Sequence, residues 1–255
     1  MGVRAVVYSV YERRLRTHLD GLPVPRHVAV MLDGNRRWAR AAGFDDVTQG
    51  HVAGAERIDN LLEWCTEAGV EHVTLWLLST DNLSRPADEL EPLLGIIAGV
   101  VGQLASPGKA WRVIPVGALD LLPEHIAAAL KDAEEQTADR GGLTVNVAVG
   151  YGGRREIADA VRSLLHEHAA SGTSIEELAE ILDADHIAEH LYTKGQPDPD
   201  LVIRTSGEQR LSGFMLWQSV HSEFYFCDAL WPDFRRIDFL RALRDYGLRQ
   251  RRYGG

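Results

Sequence analysis

The chain has 255 residues, 45% of them apolar and 25% charged, with a net charge of −10. That composition is ordinary for a globular protein with a sizeable core, and the acidic balance argues against non-specific nucleic-acid binding. Two cysteines, Cys65 and Cys227, lie in apolar contexts and form no CxxC pair, which fits core thiols in a reducing compartment. No basic segment leads into an apolar one at the start of the chain, so no signal peptide is expected and the cytoplasm is the default location.

Residues 1–20 read as an amphipathic helix, with Val6, Val7, Val10, Leu15 and Leu19 opposite Arg13, Arg14 and Arg16. Gly21, Pro23 and Pro25 end it. The stretch HVAVMLDGNRRWAR, residues 27–40, is the most informative. Residues 28–32 predict a buried strand, Asp33-Gly34-Asn35 ends it, and residues 36–40 open a helix. A carboxylate at the carboxyl end of a strand, beside a helix start, is where open α/β sheets bind ligands. The free N–H groups of that start suit a phosphate, and Gly34 lets the backbone come close. Asp33 beside a phosphate calls for a cation between them, and Mg²⁺ held by one or two carboxylates plus phosphate oxygens fits. The same residues also suit a structural strand–turn–helix with Asp33 as the helix cap, and the stretch alone leaves both readings open.

After Gly43, the acidic stretch 45–51 is expected to be a loop that closes over a ligand. Residues 52–68 carry apolar positions at helical spacing and end at Gly69. A second strand at 73–78 runs into Ser79-Thr80-Asp81-Asn82-Leu83-Ser84-Arg85-Pro86, with Pro86 at the first position of the next helix. That helix begins acidic (Asp88, Glu89, Glu91) and carries no charge from Pro92 to Gly108. Its Gly95, Gly99 and Gly102 predict a buried helix lying against something slender and apolar, rather than a membrane span.

Strands at 111–116 and 143–149 flank a helix at about 123–139. The glycine cluster at 150–153 lacks the full GxGxxG and the acidic residue that a dinucleotide site needs. A helix follows to about residue 170, then two short helices over 174–191. There His186-Ile187-Ala188-Glu189-His190 matches the zinc pattern HxxEH by accident, in a polar segment with no third ligand nearby. A strand ending at Arg204 leads into a loop whose Arg204, Arg210 and Ser212 offer forked donors and a hydroxyl suited to a diphosphate. A further apolar run at 214–217 precedes Ser222-Glu223-Phe224-Tyr225-Phe226. Glu223 among aromatics needs a metal or an arginine as partner. The last helix, about 236–250, carries Arg241, Arg244 and Arg249 and is followed by Arg251 and Arg252. Most of that charge reads as a solvated face that suits a helix C-terminus. With no repeat, low-complexity stretch or linker, residues 1–255 are expected to form one domain, with an N-terminal helix within 1–22 and a basic helix and tail at 236–255.

Taken together, HVAVMLDGNRRWAR, LLSTDNLSRP, NVAVGYGGRREI, LVIRTSGEQRLS, SEFYF, LWPDF and the terminal RRYGG resemble the motifs of the cis-prenyltransferases. This is the family of undecaprenyl diphosphate synthase, and among its members the chain looks closest to short-chain Z-farnesyl diphosphate synthases. The resemblance covers nearly all of residues 25–255. It implies an α/β fold, a central, mostly parallel sheet flanked by helices around an apolar tunnel, and a homodimer. It also implies Mg²⁺-dependent condensation of isopentenyl diphosphate onto an allylic diphosphate, with a new cis double bond, and peripheral contact with a membrane through the apolar product. By position, Asp33 joins Mg²⁺ to diphosphate and Glu223 completes the metal site. Gly34, Asn35, Arg36, Arg37 and His51 fall to the allylic diphosphate, and Trp38 is expected among the substrate-binding residues. Ser79, Asn82 and Arg85 stand beside the reacting carbons, with Asn82 the candidate for proton removal, and Thr80, Asp81 and Leu83 are expected to bind substrate with them. Arg204, Arg210, Leu211 and Ser212 fall to isopentenyl diphosphate, and Arg252 to the same substrate across the dimer.

Three departures bear on the allylic substrate. Val47 stands where long-chain bacterial members usually carry an arginine, Asp81 replaces a usual glutamate, and Leu83 stands where tryptophan is common. Leu77, two residues before Ser79 and expected on the same strand face, occupies a place where long-chain members tend to have a small residue. It is expected to stop the tunnel early. A fifteen-carbon (2Z,6E)-farnesyl diphosphate made from geranyl diphosphate is therefore favoured over a long-chain polyprenyl product. A dehalogenase-type phosphatase would need a second aspartate where Asn35 stands, and a non-catalytic partner subunit would typically lack the Asp33 and arginines present here.

Overall fold

In the computed structural model, which describes residues 3–253 and the side chains of residues 8–249, the apolar runs of the sequence form one six-stranded sheet. The elements in order are α1 (Val3–Leu19), β1 (His27–Met31), α2 (Asn35–Ala41), α3 (Thr48–Ala68), β2 (His72–Ser79), α4 (Ala87–Leu104), β3 (Arg112–Val116), α5 (Glu124–Thr137), β4 (Thr144–Tyr151), α6 (Gly153–Ala170), α7 (Ile175–Ile181), α8 (Ala184–Ala188), β5 (Leu201–Arg204), β6 (Glu223–Phe226) and α9 (Arg236–Tyr253). The sheet order is β3-β4-β2-β1-β5-β6, and every pairing is parallel. The mostly parallel sheet expected from the sequence is thus wholly parallel among the described residues.

Burial on both faces explains why these strands read as continuous apolar runs rather than alternating ones. All five residues of β1 are buried. Val28 and Val30 face the larger core under α3, α4, α5 and α9. Ala29 and Met31 face a smaller core with Val202, Phe214 and Met215. The chain places β2 on one side of β1 and β5 on the other, so the strand order reverses between β1 and β5. Crevices form outside the carboxyl ends of strands at such a point. Asp33 follows β1 and Arg204 ends β5, so both lie there.

Several expectations are corrected. The buried face of α1 is Tyr8, Tyr11, Leu15 and Leu19, which pack on Ile237 and Leu240 of α9. Val10 points to solvent, and Val6 and Val7 lie outside the described side chains. Residues 48–51 belong to α3 rather than to a closing loop, because Asp46 accepts a hydrogen bond from the Thr48 N–H at 2.8 Å and starts the helix early. Gly95, Gly99 and Gly102 of α4 face outward, with open space where a side chain would stand. The helix buries one face only, through Leu93, Leu94, Ile97, Val100, Val101 and Leu104. Pro86 precedes α4 in an extended conformation instead of opening it. The run at 214–217 is a turn, with Phe214 and Met215 buried. Among the described residues no helix is long and apolar enough to cross a membrane.

Candidate active site

A cavity of about 550 Å³ opens at the carboxyl ends of β1, β2 and β5 and runs down between the sheet, α3 and α4. Its mouth is polar and cationic, with Asp33, Asn35, Arg36, Arg37, Arg40 and His51 on one side. Ser79, Asn82, Arg85, Arg204, Arg210 and Ser212 complete it. Its depth is apolar, lined by Ile58, Leu77, Leu93, Ile96, Ile97 and Val100. Leu62, Val101 and Leu104, all fully buried, occupy the next turns of α3 and α4 below it. A charged mouth over an apolar chamber suits an amphiphile with an anionic head and a hydrocarbon tail.

Asp33 is not a helix cap. Gly34, with φ of 111°, occupies that position and α2 has no side-chain cap. A side chain at Gly34 would also meet the backbone of Leu230 at about 3.0 Å. The Asp33 backbone is clamped instead: its carbonyl accepts from the Thr205 hydroxyl at 2.7 Å and from the Trp231 N–H at 3.0 Å. This frees the carboxylate to face Arg204, whose Nη2 donates to Oδ2 at 2.8 Å, with Arg37 3.6 Å away. Burial pushes the Asp33 carboxyl up, but the Arg204 hydrogen bond leads a set of contacts that outweighs it and holds the group below its ordinary value.

Arg204 itself is 5% exposed. Its Nη1 donates to the Ser212 hydroxyl at 2.9 Å and to the Arg210 carbonyl, and its buried Nε has no partner. The loop it anchors holds three non-glycine residues at positive φ, Ser206, Ser212 and Met215. Such strain persists where surrounding structure imposes it, and it clusters at functional sites. Arg210 is 63% exposed and bonds Glu208, so its side chain stands at the rim.

A second cationic group faces the first across the mouth. Arg36 and Arg85 share one carboxylate, Glu89, at 3.2 and 3.0 Å, and His51 sits beside them. Burial, then Arg85, push the His51 imidazole down to about 4. It is therefore neutral at pH 7, with its buried Nε2 unpartnered. Two arginines against one carboxylate leave an excess of positive charge next to an unfilled polar atom, an arrangement that an anion completes. Asn82 and Ser79 bond reciprocally, the Ser79 N–H donating to Asn82 Oδ1 and the Asn82 N–H donating to Ser79 Oγ. The Asn82 amide is thereby held at the cavity wall.

Not every expected residue joins the site. Glu223 begins β6, beside Leu201 and three residues short of the level of Arg204, or about 10 Å along the strand. Arg249 bonds it at 2.9 Å, so within one chain it does not meet Asp33. Trp38 stacks on Phe44 outside the cavity. Thr80 packs against Gly152, Asp81 is exposed, Leu83 packs on the larger core and Leu211 on the smaller one. Arg252 lies outside the described side chains.

Leu77 does line the cavity, but strict alternation is not the reason. The β2–β4 register shifts around it, Trp76 pairing with Ala148 and Leu78 with Val149. That bulge turns Leu77 and Leu78 onto the same core face. Glu89, Arg40 and Trp231 escaped the sequence reading. The acidic first turn of α4, four residues after Arg85, was the available signal for the first. Gly50 and Gly54 also escaped it. A side chain at either would collide with Asn35, at 2.0 and 2.2 Å, so both glycines let α3 press onto α2.

As to metals, the described residues contain no cluster of three or more His, Cys, Asp or Glu able to hold an ion by themselves. A lone carboxylate facing an anion-binding mouth fits a hard cation that shares its shell with phosphate oxygens.

Comparison with known proteins agrees with this geometry. Residues 31–254 match the profile of the undecaprenyl diphosphate synthase family. A (2Z,6E)-farnesyl diphosphate synthase of Thermobifida fusca is 66% identical over 252 residues, 99% of this chain and 98% of that protein. A short-chain Z-isoprenyl diphosphate synthase of Mycobacterium leprae is 56% identical over 250 residues, 97% and 95% of the two chains. The solved lavandulyl diphosphate synthase of Lavandula x intermedia, in complex with dimethylallyl diphosphate, superimposes with a TM-score of 0.81. It is 33% identical, covering 88% of this chain and 95% of that one. With this fold, this mouth and these relatives, the chain belongs to the undecaprenyl diphosphate synthase family and is a prenyltransferase of the cis-prenyl diphosphate synthase type.

Proposed function

We propose that the enzyme condenses isopentenyl diphosphate with geranyl diphosphate in one step, giving (2Z,6E)-farnesyl diphosphate. The observation that carries this reading is the cavity: two cationic groups at one mouth, above an apolar chamber that Leu77 narrows near the top and buried leucines close below. Two diphosphates meet at such a mouth, while a single hydrocarbon tail fills the chamber.

In this reading Gly34, Asn35, Arg36, Arg37 and His51 receive the allylic diphosphate, with the N–H groups of α2 aimed at it. Arg85 reaches the same group from the other side. Arg204, Arg210 and Ser212 receive the second diphosphate. Asp33 would hold Mg²⁺ together with diphosphate oxygens, and the ion would neutralise charge that builds on the departing diphosphate. The arginines add fixed positive charge at the same place, which favours the transition state over the ground state. The apolar wall keeps water from the allylic cation left behind. A proton must then leave the isopentenyl unit. Asn82 is too weak a base to keep it, so it orients the unit while a diphosphate oxygen accepts the proton.

The open edge of β6, with stacked Phe224 and Phe226, supports a homodimer formed on that side. The apolar product supports a peripheral encounter with a membrane. The test of the reaction is incorporation of labelled isopentenyl diphosphate. It should require geranyl diphosphate, vanish with a chelator and return with Mg²⁺. Incorporation that persists without divalent cation would overturn the role given to Asp33.

A further inference from the structure

The chamber that receives the tail has two helical walls, α3 and α4. On its outer face α4 carries Gly95, Gly99 and Gly102, and Pro92 lies within it. Glycine and proline each lower a helix's own stability. Packing of its buried inner face holds this wall, and a polar tie to α3 adds to it.

Such a tie crosses just behind the deep end of the cavity. Ile58 and Val100 line that end. Asp59, the neighbour of Ile58 on α3, accepts hydrogen bonds from Gln103 Nε2 and Lys109 Nζ, both at 2.9 Å. Gln103 lies one turn beyond Val100 on α4, and Lys109 follows the end of that helix. The Asp59 and Lys109 side chains are about a quarter exposed, at 24% and 26%. The ammonium of Lys109 also sits 4.4 Å above the ring of Trp111. A separate contact, Arg140 donating to the Ala105 carbonyl at 2.6 Å, fixes the end of α4 to the segment that follows α5 on the same face of the sheet. Cutting the Asp59 tie therefore leaves α4 anchored while freeing its approach to α3.

We infer that the Asp59–Gln103–Lys109 tie is a chain-length latch, a specificity-determining cross-link that holds α3 and α4 together below the bound tail. The inference rests on the synthase reading above and deepens it. Leu77 narrows the chamber near the mouth, and the latch sets whether the floor yields to a further five-carbon unit. Removing the carboxylate lets the walls part where an added unit needs volume, without touching the diphosphate groups.

The test is product analysis of the full chain with isopentenyl diphosphate, geranyl diphosphate and Mg²⁺. It compares wild type, Asp59→Leu and the charge-reversed pair Asp59→Lys with Lys109→Asp. Asp59→Leu is expected to raise the share of products longer than the main wild-type product by up to about fivefold, the upper end of what a partly exposed ion pair contributes. The rate of the first condensation should stay unchanged. The reversed pair should move the distribution back toward wild type, which a merely bulky or destabilising change would not do. Titration with a twenty-carbon prenyl diphosphate gives a readout independent of turnover, tighter binding being expected for Asp59→Leu. If that variant does not fold, Asp59→Asn keeps an acceptor without the charge and is expected to lengthen products to a smaller degree. Wild-type condensation with unchanged product length and binding in every folded variant overturns the latch alone. A wild type that forms no condensation product overturns the synthase reading and the latch with it.

Discussion

Arg204 joins the two halves of the proposed chemistry, so replacing it separates them. In Arg204→Met three contacts are lost: those to Asp33 Oδ2 at 2.8 Å, to the Ser212 hydroxyl at 2.9 Å and to the Arg210 carbonyl. A hydrogen bond to a charged group is worth about 1.5–3 kcal/mol, or roughly ten- to a hundredfold. The KM for isopentenyl diphosphate should therefore rise by about that factor, and that for geranyl diphosphate far less. Arg204 also leads the groups that hold the Asp33 carboxyl below its ordinary value against burial. Without it burial is opposed only by Ser206 and Arg37, so the Asp33 carboxyl rises and the acid limb of the kcat/KM profile should move to higher pH. Arg210→Met, at a rim position 63% exposed, should raise the isopentenyl diphosphate KM toward the lower end of that range and leave the acid limb in place. Steady-state kinetics with each substrate varied, repeated across pH, measure both effects. Equal changes in the two KM values, or identical pH profiles for the two variants, would refute the assignment.

Asp33→Ala should lower kcat by about three orders of magnitude, the scale of losing one preorganised electrostatic group, with the melting temperature little changed; retention of a tenth of wild-type turnover would contradict its role. Leu77→Ala should convert one short product into a ladder of longer ones, since overpacking the chamber costs about 1–3 kcal/mol while the isobutyl group is present; an unchanged product would show Leu77 to be ordinary core. Stability should fall on acidification because His27, fully buried between the Pro197 carbonyl and the Thr74 hydroxyl, is pushed by burial down to about 4. Its neutral form is the one that fits the fold, so its contribution of about 3 kcal/mol is complete above pH 6.5 and is lost as pH falls toward 4. A melting temperature that stays flat between pH 7 and 4.5 would contradict this.

The strands, their parallel arrangement and the polar clusters at their carboxyl ends were legible in the sequence, because buried strands and strand-end polar residues are local signals. What was not legible depends on distance. Whether Asp33 caps a helix or faces Arg204 turns on a residue 171 positions away. Glu223, isolated among aromatics, left a metal and an arginine open as partners, and within one chain Arg249 of the last helix is the partner. The glycines of α4 suggested close packing, but spacing alone does not say which face of a helix is inside. The bulge at Leu77 replaced the expected alternation and still delivered the side chain to the cavity. Close homology carried the identification further than periodicity did, since HVAVMLDGNRRWAR and LVIRTSGEQRLS quote the site in order.

The measurement that reaches the central claim most directly is chromatography of dephosphorylated products after wild-type enzyme is incubated with labelled isopentenyl diphosphate, geranyl diphosphate and Mg²⁺. A charged mouth over an apolar chamber lined by Leu77, with Leu62, Val101 and Leu104 buried on the next turns of its helical walls, predicts one dominant product, the fifteen-carbon (2Z,6E)-farnesol. A dominant product of fifty or more carbons, or no condensation at all, would contradict it.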